Sequence, residues 1–352
     1  MTRTKRRSSQ AVKIDDVARQ AGVSAMTVSR VMNRESGVRK DTRDKVLRAV
    51  KALNYQPNRS AQRLAKGADV HIGLIYSNPS DNYLGRFLHG ALDAAQRTDN
   101  HLIVDICDEN SPASYVASAL RLSKANIAGV ILPPPISGSD EILSVFEELQ
   151  IPVATVGNGG KIRKSKDVSI DDEGAAAEMT RHLIDLGHRR IAFIQGQPDQ
   201  ASSALRERGF RREMQAAGLE LSSDYVAPGQ FTYRSGVEAA VVLLALAEPP
   251  TAIFASNDDM AAAAIGVAHR RGLSVPGDLS VVGFDNSPSA ISVWPELTTI
   301  DQPVSAMAAA AFDLVLREIE GGQGGVVHKA PDLLQTCQLV LRGSSGPAPK
   351  KL

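Results

Sequence analysis

Hydroxyl and amide side chains cluster with one arginine in residues 24–33 of this 352-residue sequence. Thr27, Ser29 and Asn33 are short hydrogen-bonding residues of the kind that contact phosphate oxygens, which position a protein on DNA without reading its sequence. Arg30, in the same stretch, can form paired hydrogen bonds with the edge of a base. These residue types therefore predict contact with a nucleic acid.

Two short amphipathic helices would have to hold these side chains. Residues 14–31 read IDDVARQAGVSAMTVSRV, in which apolar or small residues recur at helical spacing on both sides of Gly22. Glycine suits a tight turn because it tolerates a positive φ, and Ser24 can cap the second helix. The pattern is that of a helix-turn-helix, whose second helix enters the major groove. Its N-terminal part would present three side chains to the bases: Ala25, Met26 and Arg30.

The charge of the chain changes sign after this region. Of 40 Lys and Arg and 39 Asp and Glu in total, residues 1–67 hold 17 and 5, which leaves 23 and 34 for the remainder. The overall charge of +1 thus conceals a basic head and an acidic body. This distribution is expected when only a small domain meets a polyanion.

A third helix, predicted from Thr42 to Leu53, completes the small core with Val46, Leu47, Val50 and Leu53. A shorter helical stretch follows it. Residues 55–67 read YQPNRSAQRLAKG, in which proline fixes the entry and Gly67 ends the stretch. Helices below about 12–15 residues rarely persist alone in water. We therefore expect this one to fold only on a partner.

The rest of the chain alternates short apolar runs with helical stretches, which is typical of βα units in a parallel sheet. The runs form two series, so we predict two lobes. The first series lies at 71–76, 101–106, 128–133 and 151–156, and the second at 190–195, 251–256 and 278–284. In such sheets ligands bind beyond the carboxyl ends of the strands, so two facing lobes create a cleft lined by strand-end loops.

Motifs from about Ile14 to Arg342 resemble the lactose-repressor (LacI/GalR) family of bacterial transcription regulators. They include DVARQAGVSAMTVSRVMN at 16–33, LNYQPNRSAQRLAKG at 53–67 and ASSALRERGF at 201–210. The resemblance implies an α/β fold with an N-terminal helix-turn-helix domain and a two-lobed body similar to periplasmic sugar-binding proteins.

The implied domains follow from the same resemblance. The helix-turn-helix domain is expected at 12–56, a hinge helix and linker at 57–69, and an effector-binding and dimerisation body at 70–342. Within the body, we expect the N-terminal lobe at about 70–162 and 300–332 and the C-terminal lobe at about 163–295 and 333–342.

By the resemblance, Leu64 in the hinge helix wedges into the minor groove at the centre of the operator. Such a wedge kinks the duplex at a cost of a few kcal/mol, which extra contacts on the bent DNA offset. Asn58 and Arg59 would hold the nearby backbone, and Gln62 and Arg63 would flank the wedge.

The resemblance also implies an effector site in the cleft. Arg206 matches the arginine that grips the effector, and Asn257 and Asp285 match the amide and carboxylate that bind its hydroxyl groups. Looser alignments add five positions near the pocket: Asn158, Asp171, Phe231, Tyr83 and Ser77.

An arginine, a carboxylate, an amide and aromatic faces suit a neutral polyhydroxylated ring, which needs both donors and acceptors and an apolar wall. A sugar is therefore the first candidate effector. A purine is the second, since the family includes purine-sensing members. Structural roles stay open for Asp285 in a turn, for Arg206 at the surface, and for Tyr83 and Phe231 in the core.

Catalytic motifs are missing from the sequence. GNGGK at 157–161 lacks the spacing of a phosphate-binding loop, and neither a GxSxG elbow nor an HExxH pair occurs. Cys107 and Cys337 stand far apart, without the spacing of a metal or redox site. We therefore expect no enzyme, no cofactor and no metal site.

A sugar-binding receptor without a DNA role is the competing class. It would carry a signal peptide and no basic head, whereas the first residues, MTRTKRRSSQAV, are basic and polar and lead into no apolar signal segment. No apolar run reaches the length of about 18 residues that suits a membrane span. The expected location is the cytoplasm.

The sequence thus predicts a repressor of sugar-utilisation genes whose operator affinity is changed by a small-molecule effector. The alternative is a purine- or nucleoside-responsive regulator of the corepressor type. One helix-turn-helix contacts too few base pairs for a specific operator, so we expect a homodimer on pseudo-palindromic double-stranded DNA. The tail after Arg342 carries no heptads, which favours a dimer over a tetramer, and the resemblance places the interface at helix 83–98.

Overall fold

The computed structural model describes residues 14–32, 39–53, 70–108, 111–158, 166–321 and 333–350. The chain divides into two compact units, Met1–Asp69 and Val70–Leu352. Six residues predicted to contact DNA lie outside the described residues: Asn33, Asn58, Arg59, Gln62, Arg63 and Leu64. None of the described helices is long and apolar enough to cross a lipid bilayer.

The first unit contains three helices, α1 (Ile14–Ala21), α2 (Ala25–Met32) and α3 (Lys40–Ala52). Gly22 adopts a φ of +67° in the turn between α1 and α2, so the predicted glycine turn is confirmed. Leu47, which the helical spacing placed in the core, is instead exposed. The core consists of six buried side chains at the crossing of the helices: Val17, Ala18, Val28, Val31, Val46 and Ala49.

The second unit, here called the body, alternates strands and helices. Its strands are β1 (His71–Tyr76), β2 (His101–Ile106), β3 (Gly129–Leu132), β4 (Val153–Val156), β5 (Lys166–Ile170), β6 (Ile191–Ile194), β7 (Val226–Ala227), β8 (Ala252–Ala255), β9 (Ser280–Val282), β10 (Thr299–Asp301), β11 (Leu333–Gln335) and β12 (Gln338–Val340). Its helices are α4 (Asp81–Thr98), α5 (Pro112–Lys124), α6 (Asp140–Glu148), α7 (Asp172–Asp185), α8 (Ala201–Ala216), α9 (Tyr233–Leu243), α10 (Asp258–Arg270), α11 (Pro288–Ser292) and α12 (Val304–Gly321).

Two parallel sheets define the two lobes. The N-terminal lobe has a six-stranded sheet in the order β11-β5-β4-β3-β1-β2, and the C-terminal lobe has a four-stranded sheet in the order β7-β6-β8-β9. All seven apolar runs predicted as strands are strands, and β10 and β12 form a separate antiparallel pair. The fold is thus the predicted two-lobed α/β body.

The boundary between the lobes differs from the predicted one. β5 and β11 both pair within the N-terminal sheet, although residues from 163 onward and 333–342 were assigned to the C-terminal lobe. β5 lacks an apolar run because it carries Asp167, whose buried carboxylate accepts a hydrogen bond from Thr155 Oγ1 at 2.9 Å. This satisfied polar residue allows a central strand that hydrophobic patterning does not detect.

Helix α12 connects the sheet of the N-terminal lobe to α4 by close packing. A side chain at Gly90 on α4 would collide with the backbone of Ser305 at the start of α12, so only glycine permits this approach. Because Ser305 Oγ also donates to Arg86 O at 2.9 Å, the two helices are joined by both packing and a hydrogen bond.

The segment after Arg342 packs on the C-terminal lobe. His188 is fully buried, and its ring nitrogens lie 2.9 Å from Thr251 Oγ1 and 3.0 Å from Gly346 O. Burial lowers the pKa of His188, so the ring is neutral and serves as a hydrogen-bonding bridge. His188 therefore has a structural role, in which it joins the C-terminal segment to the lobe.

Candidate functional site

The N-terminus of α2 has the cap that the sequence predicted. Ser24 Oγ accepts a hydrogen bond from Thr27 N at 3.2 Å and lies 2.9 Å from Thr27 Oγ1. Met26 is 71% exposed, and Arg30 is exposed one turn further along the helix. These two side chains are therefore accessible for contacts with bases.

Two other residues of α2 are less available than predicted. Ala25 is half-buried and packs against the core, so its position on the helix supports the fold. Thr27 is also half-buried, and its hydroxyl already pairs with Ser24. Ser29 belongs to the same helix.

The cleft between the lobes contains a cavity of about 480 Å³, including space open to solvent, here called the effector cavity. Loops at the carboxyl ends of strands supply its walls from both lobes, as expected for α/β sheets. The side chains that line it include five predicted ones, Arg206, Asp285, Asn257, Phe231 and Tyr83, and several that were not predicted, among them Asn78, Ser80, Asp172, Gln200, Ser202, Gln302 and Met307.

Arg206 projects from α8 into the middle of this wall and is 4% exposed. Its Nε donates to Asp172 Oδ1 at 2.8 Å, its Nη1 lies 3.6 Å from Asp285 Oδ1, and its Nη2 donates to Gln302 Oε1 at 3.1 Å. The guanidinium also stacks on the Phe284 ring, 3.6 Å from its centroid. Arg206 is thus a buried, fully partnered cation, so the alternative of a surface arginine is wrong.

Asp285 follows β9 in a strained backbone conformation with a φ of +113°. Its backbone N donates to Ile300 O at 2.9 Å, and its backbone O accepts from Arg86 of the N-terminal lobe. Burial raises the pKa of the Asp285 carboxyl to about 7, although the nearby Arg206 opposes this effect. The residue therefore has both the turn role and the position in the cavity that the sequence left as alternatives.

A second buried carboxylate, Asp258, holds the loop that contains Asp285 through hydrogen bonds. It accepts hydrogen bonds from Thr299 Oγ1 at 2.6 Å and from Ser287 N at 2.7 Å. Burial raises its pKa as well. A side chain at Gly283 would overlap this carboxylate, which explains a glycine directly before the Phe-Asp pair.

Asn257 has both of its amide atoms engaged in the structure. Its Oδ1 caps α10 by accepting from Met260 N at 3.0 Å, and its Nδ2 donates to Phe231 O at 2.9 Å. Phe231 has a φ of +58°, and its ring covers Gly196, where any side chain would overlap it. Asn257 therefore positions the aromatic wall of the cavity in addition to lining the cavity itself.

Tyr83 on α4 supplies the second aromatic side chain of the cavity. Its ring stacks against Phe87 with centroids 6.1 Å apart, and its hydroxyl has no hydrogen-bond partner among the described residues. Burial raises the pKa of Tyr83, so the phenol stays protonated and can donate. An unpartnered donor in a cavity wall is suited to a ligand oxygen.

Three predicted residues do not line the effector cavity. The Asp171 carboxylate caps α7 by accepting from Gly174 N at 2.8 Å, and the next residue, Asp172, faces the cavity instead. Asn158 is 1% exposed and donates to Thr155 Oγ1 at 2.8 Å. Ser77 is buried at the end of β1, one residue before Asn78, which does line the cavity.

A cluster of hydrogen bonds joins the lobes at the edge of the effector cavity. Asp259 of the C-terminal lobe accepts from Ser80 Oγ at 2.9 Å and from Asn82 Nδ2 at 2.7 Å, both in the N-terminal lobe. Ser289 Oγ donates to the same carboxylate at 2.7 Å. We call this cluster of Ser80, Asn82, Asp259 and Ser289 the lobe latch.

Among the described residues around the cavity, the carboxylates match or slightly outnumber the arginines. Arg206 faces the two carboxylates of Asp172 and Asp285, and Arg86 donates to Gln302 O at 2.7 Å and lies 3.9 Å from Asp301. Both arginines are thus matched by carboxylates or carbonyl oxygens. The described part of the wall therefore offers donors and acceptors without an excess of positive charge.

Family models match both parts of the chain. Residues 13–58 match the model described as bacterial regulatory proteins of the lacI family, and residues 180–345 match a periplasmic binding protein-like domain. Catabolite control protein A of Priestia megaterium is 35% identical over 87% of this chain and 92% of its own length. The transcriptional repressor PurR of Histophilus somni is 32% identical over 91% of this chain and 97% of its own length.

Solved structures show the same fold over nearly the whole chain. A complex of the transcriptional regulator CelR with cellobiose has 30% identity and a TM-score of 0.72, and covers 95% of this chain and 99% of its own. The lac repressor dimer, bound to operator and the anti-inducer ONPF, has 27% identity and a TM-score of 0.72, and covers 96% of this chain and 100% of its own. With a helix-turn-helix at its head and relatives that are regulators rather than enzymes, the chain belongs to the lacI family of DNA-binding transcription regulators.

Proposed function

We propose that this regulator responds to a neutral polyhydroxylated effector, a sugar, in the cavity between its lobes. The observation that carries the proposal is the neutralisation of Arg206 by Asp172 and Asp285. Among the residues that the structure describes, an anionic ligand would meet two buried carboxylates and no free cation, which is electrostatically unfavourable. A neutral ligand meets no such barrier.

The hydrogen-bonding groups of the cavity match the hydroxyl groups of a sugar. Asp285 offers acceptor oxygens, whereas Tyr83 and Ser202 offer hydroxyls that have no partners among the described residues. The Phe231 ring supplies an apolar face against which the C–H side of a sugar ring can pack. This mixture of donors, acceptors and one apolar wall is typical of small-molecule sites. The relative solved with cellobiose agrees with this choice.

A purine or nucleoside is the second candidate. Two aromatic side chains, Tyr83 and Phe231, line the same cavity and could stack on a planar base, and the transcriptional repressor PurR is among the relatives. In that case the effector would act as a corepressor, which strengthens operator binding instead of releasing it.

On the DNA side, we propose a repressor that reads double-stranded DNA through α2. Ala25, Met26 and Arg30 would contact base edges, whereas Thr27, Ser29 and Asn33 would contact phosphate oxygens and Ser24 would cap the helix at the DNA. The predicted hinge residues complete this interface, with Leu64 as the minor-groove wedge and Asn58, Arg59, Gln62 and Arg63 beside it.

A homodimer would place two such helices on a pseudo-palindromic operator. The proposal is supported by exposed apolar side chains on the N-terminal lobe, where β2 forms the edge of the six-stranded sheet. Four of them are between 42% and 69% exposed: Leu92 on α4, Val104 and Ile106 on β2, and Leu120 on α5. Ile106→Glu should therefore give a monomer in light scattering, whereas the equally apolar but distant Leu149→Glu should not.

A thermal-shift screen of the full chain tests the effector proposal. Sugars, sugar phosphates and purine bases are added at equal concentration, and a ligand present at about 100 times its dissociation constant should add about 2.7 kcal/mol of stability. We expect the shift from neutral sugars, and we expect the corresponding phosphates to be weaker. A shift confined to purines would replace the sugar proposal with the second candidate.

A further inference from the structure

Two histidines lie side by side at the beginning of the sheet of the N-terminal lobe. His71 is the first residue of β1 and His101 the first residue of β2, and the two are partners in the register of this parallel pair. Partners on neighbouring parallel strands point to the same face of the sheet. The imidazole rings accordingly lie together, with centroids 5.5 Å apart and planes inclined at 51°. We call these two residues the histidine pair.

The histidine pair is separate from the effector cavity and accessible to solvent. It lies at the amino ends of the strands, whereas the effector cavity lies beyond their carboxyl ends. β2 is the outermost strand of the sheet, His101 is exposed, and His71 is half-buried. The stacked rings of Phe193 and Phe210, by contrast, are completely buried and belong to the core. A dissolved cation can therefore reach the histidine pair.

The spacing of the two rings is close to that of two imidazoles on one metal ion. With Zn–N bonds of about 2.0–2.1 Å at a tetrahedral angle, the ring centroids of two such ligands are roughly 5 Å apart. The histidine pair has 5.5 Å, and the exposed His101 side chain can rotate to make up the difference. Each imidazole has two nitrogens, so one can bind a metal while the other keeps a hydrogen bond.

The C-terminus of α5 lies at the same end of the sheet. α5 packs on the face that the histidine pair shares, because a side chain at Gly73, two residues after His71, would collide with Leu122 in the last turn of the helix. The C-terminal end of a helix carries partial negative charge, which favours a nearby cation. Lys124 in this turn is exposed, so solvent screens its ammonium group.

We propose that the histidine pair binds a divalent transition-metal ion of the class that imidazole prefers, zinc, nickel or copper. Among the described residues no group of three or more histidines, cysteines and acids could hold a metal, so water completes the coordination. The bound ion connects β1 to the edge strand β2. Such a site has no signature in the sequence, because His71 and His101 are 30 positions apart and only the strand register brings them together.

Titration calorimetry of the full chain with zinc, nickel and magnesium chlorides tests the proposal. We expect zinc and nickel to bind, and magnesium, which prefers oxygen ligands, not to bind. His71→Gln and His101→Gln should each weaken zinc binding by about tenfold or more, because a two-ligand site becomes a one-ligand site. Zinc should also raise the melting temperature of the wild type, since the ion binds the folded state, and should raise that of neither variant.

His89→Gln is the matched control, because His89 is an exposed histidine on α4 of the same lobe and lies outside the histidine pair. Melting curves without metal check that each variant keeps its fold. Electron paramagnetic resonance of the copper-loaded wild type should detect two nitrogen ligands and does not depend on any variant. Absence of zinc binding, an equal loss in His89→Gln, or fewer than two nitrogen ligands overturns the proposal and leaves the effector proposal standing.

Discussion

Arg206→Ala should destabilise the body strongly, because it leaves two buried carboxylates without their cation. Asp172 and Asp285 are at most 10% exposed, and Arg206 lies 2.8 Å from one and 3.6 Å from the other. Removing one partner of a buried ion pair costs about 3–5 kcal/mol. For a domain of 150–250 residues each kcal/mol lowers the melting temperature by about 2–4 °C, so we expect a decrease of roughly 10 °C.

The stability that Arg206→Ala loses should increase with pH. Burial already raises the pKa of Asp172 and of Asp285, and Arg206 opposes both increases. Without Arg206 the folded-state pKa of each carboxyl rises further above its unfolded value. A group with a raised folded pKa favours the folded state at low pH and disfavours it at higher pH. The difference between variant and wild type should therefore be larger at pH 8 than at pH 5.5.

Arg212→Ala is the control, because Arg212 lies on the same helix and also pairs with an acid. It contacts Glu173 at 2.6 Å, but its side chain is 55% exposed. Exposed ion pairs contribute about 0–1 kcal/mol, so this variant should melt close to the wild type. Differential scanning calorimetry of the full chain at both pH values makes the comparison. If Arg206→Ala has the same melting temperature as Arg212→Ala at pH 8, the assignment of Arg206 as a buried structural cation is refuted.

Four further outcomes are expected. Tyr83→Phe should leave the melting temperature unchanged and weaken the effector by about three- to tenfold in calorimetry, since it removes one unpartnered donor. Asp259→Ala should weaken effector binding without touching the cavity's central groups, because it removes the lobe latch; unchanged affinity would show that the latch does not favour the closed cleft. Effector affinity should fall as the pH drops below about 7, where Asp285 becomes protonated and one of its acceptor oxygens becomes a donor, and a flat profile from pH 6 to 8 would contradict this. Substituting Met26 or Arg30 should change base preference at particular positions of a randomised operator library, and a uniform loss across all sequences would remove their role as base readers.

The fold could be predicted from the sequence wherever hydrophobic pattern alone determines structure. Strands such as β1 and β8 are apolar runs bounded by turns, because both of their faces are buried under helices. β5 was not predicted because its interior contains Asp167 where an apolar residue would be expected. The Asp167 carboxylate accepts a hydrogen bond from Thr155, which makes its burial possible. α12 was also not predicted, since its many small apolar residues give little contrast between its faces.

The site could be predicted only as far as residue identity carries information. Arg206 and Asp285 were found because a resemblance identified their positions, yet their contact with each other was not visible in the sequence. Between Asp171 and Asp172 the sequence offered two identical side chains, and helix capping decided which one turns away from the cavity. The lobe latch could not be predicted from the sequence, because Ser80 and Asp259 are 179 positions apart and come into contact only in the folded body.

The position of the lobe latch relates ligand binding to the separation of the lobes. Ser80 both lines the effector cavity and donates to Asp259, so one residue contacts the ligand space and the opposite lobe. Arg86 likewise reaches from the N-terminal lobe to the backbone of Asp285, whose carboxyl faces the cavity. An effector can change operator affinity only by binding one arrangement of the lobes better than another. Because Ser80 and Asp285 both line the cavity and join the lobes, we expect an effector bound there to be coupled to closure of the cleft.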